Sequence, residues 1–111
     1  MTEHAYVRAI RDLYLRLPHT SGRFSRSDYR LAVDLFRRSV PFETVRSAML
    51  LVIVNRIYRH GPSLPVIRSL HYFMPVIEEL LTQPVPESYL AYLRSKVPVH
   101  SATGKTATTT G

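Results

Sequence analysis

Arg23, Arg26, Arg30, Arg37 and Arg38 recur at spacings that can gather cationic chemistry on one side of a helix. At 100° per residue the first four fall within an arc of roughly 60°, opposite Leu31, Leu35 and Phe36. Arg38 and Asp34 border that arc, and Asp34 stands four residues from both Arg30 and Arg38, where helix-surface pairs form. A guanidinium offers planar paired donors that match phosphate oxygens, so such a ridge could follow a nucleic-acid backbone. A solvated helix face gives the same pattern, and Arg23 and Arg26 can also fall ahead of the helix, which would blur the stripe. The wider charge distribution favours the ridge. The 111 residues carry a net charge of +7 and a pI near 10.3. Residues 1–60 hold eleven Arg against five acids, whereas residues 61–111 hold four basic residues against three acids. Arg8, Arg11 and Arg16 extend the field. Thirteen of the fifteen basic residues are Arg, which suits phosphate contact but also follows from a GC-rich genome.

Other constellations carry less chemistry. Seven Tyr and four Phe could stack on unpaired bases, yet Tyr6, Tyr14 and Phe36 fall on apolar faces where packing accounts for them. Tyr29, Phe24, Tyr58 and Tyr92 are open to either role. In the string 68–75 (RSLHYFMP), Arg68 can reach His71 or Tyr72, and His71 lies seven residues before Glu78, so imidazole and carboxylate could share a proton. No nucleophile or substrate pocket accompanies that pair. His4, His19, His60, His71 and His100 lack a second ligand at zinc spacing, so no metal site is expected. There is no Gly-rich phosphate loop, no nucleophile elbow and no isolated acid pair. The expectation is a protein without catalytic residues or a cofactor. Absence of cysteine excludes disulfides and thiolate chemistry.

These residues must be positioned by helices. Tyr6, Ala9, Ile10, Leu13, Tyr14 and Leu17 follow one amphipathic stripe, started by Thr2 and Glu3 and ended at Leu17-Pro18. Residues 19–23 read as a loop. Ser25 with Asp28 resembles a capping box, with Ser27 as a competing cap, for a second helix that runs to about Arg38 and buries Leu31, Ala32, Leu35 and Phe36. Residues 39–40 then connect tightly to the next helix, which forces a reversal or a steep crossing.

The run 48–54 (AMLLVIV) suits a buried strand or a buried helix, and its frame favours the helix. Pro41 and Glu43 fit a helix start, Arg59 and His60 fit its end, and Gly61-Pro62 stops it. The reading is a central helix over 41–60, enclosed in its middle, with Arg46, Arg56 and Arg59 facing solvent. A fourth helix is expected from about Ser63 to Leu81, burying Val66, Ile67, Leu70, Phe73, Met74, Ile77, Leu80 and Leu81, with a kink or break near Tyr72 caused by Pro75. Residues 83–86 form a stiff connector to a short last helix over 87–97 that presents Tyr89, Leu90 and Leu93. Residues 98–111, rich in Thr, Ser, Ala and Gly, have too little apolar content to order themselves. The expected fold is all-α: one compact bundle of about five helices over 1–97, then a disordered tail. The longest apolar run has seven residues, against roughly 20 needed to span a bilayer. With no basic-then-apolar start, a soluble cytoplasmic protein is expected.

The strings 40–45 (VPFETV) and 67–79 (IRSLHYFMPVIEE) resemble uncharacterised small helical bacterial proteins linked to replication or mobile elements. The helical spacing over residues 6–82 is also similar to the helical domain of DnaD-type primosomal proteins. That resemblance implies DNA association and carries over no binding or catalytic residue. The sequence therefore points to a basic, DNA-binding or DNA-associated accessory protein that holds phosphates through Arg23, Arg26, Arg30, Arg37 and Arg38. The competing reading is a protein-interaction module or homodimer, with contacts through Tyr72, Tyr89 or Tyr92.

Overall fold

Thr2 begins the first helix by accepting the Ala5 N–H on its hydroxyl at 3.1 Å, so α1 spans Glu3–Arg16. Its end is set by Leu17, whose extended backbone precedes Pro18. A computed structural model describes residues 1–60, 64–83 and 86–96 of the chain. Among these residues the fold is all-helical, with only an isolated bridge between Thr20 and Ile67 outside the helices. Among the described residues no helix is long and apolar enough to cross a membrane.

The second helix, α2 (Arg26–Arg37), opens on a complete capping box. The Ser25 hydroxyl accepts the Asp28 N–H at 3.2 Å, and Asp28 Oδ2 accepts the Ser25 N–H at 2.8 Å. Ser27 lies inside the helix and does not cap it. The far end closes as a Schellman motif: Ser39 N–H reaches Phe36 O at 2.9 Å and Val40 N–H reaches Leu35 O at 3.0 Å. That motif requires a left-handed residue, and Ser39 supplies it at φ 62°. The chain turns there within a few residues, and α3 (Phe42–Asn55) starts directly after Pro41.

From α3 the chain continues through a wider π-helical turn, Arg56–His60. Val45, Ala48, Met49, Leu50 and Ile53 are buried, packed among α1, α4 and α5. Enclosure is incomplete, in contrast to the sequence-based expectation. Leu51, Val52 and Val54 are only half-buried, and Leu51 and Val52 line an open groove of about 570 Å³ together with Asn55, Leu64, Tyr72 and Val76.

The segment after this turn departs most from the expected helix. Residues 64–69 are non-helical and bridge to the loop after α1, with Ile67 N–H donating to His19 O at 2.7 Å and Ser21 N–H donating to Ile67 O at 2.8 Å. The sequence there alternates: Val66 and Arg68 face solvent while Ile67 is buried, a period of two that suits β-branched residues between prolines. A 3-10 turn, Leu70–Phe73, then leads into α4 (Met74–Thr82). Pro75 therefore sits in the first turn of α4, where its missing N–H is harmless, and not inside a longer helix. Val66 and Leu81, both expected to be buried, are exposed. The last element is α5 (Glu87–Lys96). The connector 61–63, part of the connector 83–86 and the tail 98–111 lie outside the described residues.

The core joins Tyr6, Ile10 and Tyr14 of α1 to Leu31, Ala32 and Leu35 of α2, to α3, and to Leu70, Phe73 and Ile77. Both core tyrosines have satisfied hydroxyls: Tyr6 donates to Val40 O at 2.7 Å and Tyr14 to Ile67 O at 3.3 Å. Burial pushes the Tyr6 hydroxyl up to about 12 and also raises that of Tyr14, where a Ser21 hydrogen bond opposes the rise and the Asp28 charge adds to it.

Candidate nucleic-acid interface

Docking of α1 against α2 creates a surface that neither helix has alone. Arg26, Arg30 and Arg37 share one face of α2, as the 100° period demands, and with Tyr29, Val33 and Asp34 they line a shallow hollow of about 360 Å³. A second hollow of about 260 Å³ lies toward α1, lined by His4, Val7, Arg8, Arg11 and Tyr29. Tyr29 borders both, so its ring stands as a divider between two arginine-lined depressions. Tyr29 as a residue is 42% exposed. It meets Phe24 edge to face at 5.1 Å and 75°, and Phe24 in turn meets buried Tyr14 at 5.6 Å.

The expected site arginines divide into two groups. Arg23, Arg26 and Arg30 are exposed and have no side-chain ion pair or hydrogen bond among the described residues, and the same holds for Arg8. Arg23 lies ahead of α2, in the loop after Gly22, so only Arg26, Arg30 and Arg37 form the helical stripe. Arg37 points its Nε toward Glu3 Oε1 at 3.6 Å, an exposed pair between α2 and α1. Arg38 is more firmly held, since its Nη2 donates to both oxygens of Glu78 at 3.2 and 3.1 Å and ties the end of α2 to α4. Asp34 pairs with neither Arg30 nor Arg38, though the spacing allows it, and Arg11 pairs with its neighbour Asp12 at 3.3 Å.

Two polar centres went unanticipated. Asp28 is fully buried, and its second oxygen accepts the Leu70 N–H at 2.9 Å and the Ser69 hydroxyl at 3.1 Å. One carboxylate thus caps α2 and anchors the 3-10 turn. Ser69 Oγ also lies 2.9 Å from His71 Nδ1. Because the Ser69 proton is directed to Asp28, His71 donates to the oxygen and does not draw its proton away. His71 and Glu78, which the spacing would allow to share a proton, are each engaged elsewhere, Glu78 with Arg38 and His71 with Ser69.

Arg56, expected in solvent, is 3% exposed. Its Nε donates to His19 Nδ1 at 3.3 Å, its Nη1 to the Tyr72 hydroxyl at 3.0 Å and its Nη2 to Pro65 O, while the guanidinium carbon lies 5.6 Å from the Tyr72 ring centroid. A signal for this burial was present, because Val45, Met49, Ile53 and Arg56 follow one helical stripe. Among the described residues no group of three His, Asp or Glu is placed to hold a metal ion.

Comparison with known proteins gives no match: no family model fits the sequence, and no curated protein or solved structure matches it.

Proposed function

We propose that the chain is a nucleic-acid-binding accessory protein, acting in the cytoplasm, that grips phosphate backbone through the face shared by α1 and α2. The observation that carries this reading is the set Arg8, Arg23, Arg26 and Arg30, all exposed and without side-chain partners among the described residues. Arg16, Arg59 and Arg68 are likewise exposed and unpartnered among the described residues, whereas Arg38 holds Glu78, Arg46 holds Glu43, and each Arg56 nitrogen donates to a neutral acceptor. Charges left free on one face create a positive potential that attracts a polyanion and releases its counterions. Arg37 joins the grip by exchanging its long pair with Glu3 for a phosphate, and Arg38 lies at the edge of the footprint. Phosphate contacts of this kind position the protein without reading sequence.

Fluorescence anisotropy with labelled DNA across a salt series tests the proposal. About four phosphate contacts give a slope of roughly −3 in log K against log salt. Absence of binding at low salt, or binding indifferent to salt, overturns it.

A second reading, self-association, is favoured by α5, where exposed Tyr89 and Tyr92 stack in parallel with centroids 6.0 Å apart. Light scattering that shows a dimer, lost in Tyr89→Ala, with no affinity for DNA, would select it over the first.

A further inference from the structure

The two hollows beside Tyr29 differ from a plain cationic ridge in one respect: an aromatic ring stands between them. Arg26 and Arg30 border it on one side and Arg8 and Arg11 on the other. Phe24 fixes the ring through an edge-to-face contact, and one such contact can cover at most one ring face. The Phe24–Tyr14 contact extends the support into the core, so the ring is braced on a residue that is itself 42% exposed. A duplex has no use for such a ring at its backbone, because its bases are stacked on each other and turned inward. An unpaired strand exposes base faces between successive phosphates, which is the alternation that the surface offers in reverse.

From this geometry we infer that the preferred ligand is single-stranded nucleic acid, with one unpaired base stacked on Tyr29 and its flanking phosphates held by Arg8 and by Arg26 with Arg30. The inference rests on the phosphate-binding reading above and narrows its ligand. Arg11, already paired to Asp12, contributes field more than contact. Asp34 borders the α2 hollow and limits how deeply a phosphate can enter it, which places the phosphates toward the Arg26 and Arg30 end.

The test separates bases from phosphates. Anisotropy titrations of the full chain use a labelled oligothymidylate, an abasic strand of the same length and charge, the matching oligouridylate and a duplex. The expected result is that the oligothymidylate binds about ten-fold more tightly than the abasic strand, and that Tyr29→Leu removes this difference while leaving the salt slope unchanged. Tyr29→Leu keeps an apolar contact for Phe24, and its circular dichroism melt checks that it folds. Tyr29→Trp installs the only tryptophan in the chain. Its emission is expected to be quenched on saturation with oligothymidylate and unchanged by the abasic strand. Preference for the thymidylate or the uridylate identifies the strand as DNA or RNA. Equal affinity for the abasic and natural strands, or equal affinity for duplex, overturns the inference yet leaves the phosphate-binding reading standing if the salt slope persists. Failure of all four ligands to bind removes both.

Discussion

Arg30 and Arg56 carry the same side chain into opposite circumstances, and the regions around them differ accordingly. At the end of α3, each nitrogen of Arg56 is engaged: His19, Pro65 and Tyr72, from three other segments, accept its donors. The neighbouring seam between α2 and the 3-10 turn is equally saturated, with Asp28 accepting from Ser25, Ser69 and Leu70. On the α1–α2 face, Arg8, Arg26 and Arg30 reach solvent without side-chain partners among the described residues. A saturated centre holds segments together. A face of free cations adds nothing to the fold and keeps its hydrogen-bonding capacity for something else. Stability measurements can therefore break or sharpen the division.

The largest effect is expected from Asp28→Ala. It strands the buried Leu70 N–H and the Ser25 N–H, removes the Ser69 acceptor and detaches the 3-10 turn from α2, for a loss of about 3–5 kcal/mol. Urea denaturation followed by circular dichroism measures it. A loss below about 1 kcal/mol would mean that the seam is not a structural centre.

Arg56→Met comes next, at about 2–3 kcal/mol. Methionine replaces much of the apolar stem, so the loss isolates the guanidinium bonds to three neutral acceptors. The same urea experiment checks it, and an unchanged midpoint would place Arg56 with the free arginines.

These two centres also show where sequence reasoning reaches and where it stops. The limits of α1, the Ser25–Asp28 box and the shared face of Arg26, Arg30 and Arg37 are local, set by spacings of a few residues, and were legible. Arg56 was legible in principle, because it continues the Val45–Met49–Ile53 stripe, but its charge suggested solvent. The non-helical course of residues 64–69 depends on pairing with residues 19–21, more than forty positions earlier, so the local apolar pattern mimicked a helix. Asp28 is the same kind of case, since its cap to α2 is local and its grip on Leu70 spans 42 positions. The hollow lined by His4, Val7, Arg8, Arg11 and Tyr29 exists only once α1 docks on α2, and no single-helix period encodes it, whereas the other hollow is lined by α2 residues alone.

A smaller effect is expected from Tyr6→Phe, which loses the 2.7 Å bond to Val40 O and leaves that carbonyl unpaired, at about 1 kcal/mol near neutral pH. Its pH dependence is more telling. The folded-state hydroxyl ionises at about 12 instead of 10, so its contribution is intact below pH 10 and is lost as pH rises through about 12. Tyr14, also raised, acts in the same direction. Tyr6→Phe should therefore narrow the fall in urea midpoint between about pH 9 and about pH 11 relative to the native chain. An identical fall in both proteins would show that Tyr6 does not govern the alkaline limit.

The smallest stability effect is expected where the largest binding effect is proposed. Arg26→Ala combined with Arg30→Ala should shift the urea midpoint by no more than about 0.5 kcal/mol. The sign can be argued. Arg26 is the first residue of α2, where the helix end is itself positive, and Arg30 lies one turn on as a like charge. Both terms oppose folding slightly, so the double variant should equal or exceed the native chain at low salt. Added salt screens these repulsions, so the native chain should gain stability with salt more steeply than the variant does. A variant that loses more than about 1 kcal/mol would show that the two cations are tied into the scaffold. The α1–α2 face would then resemble the Arg56 centre, and the main support for phosphate binding would be gone.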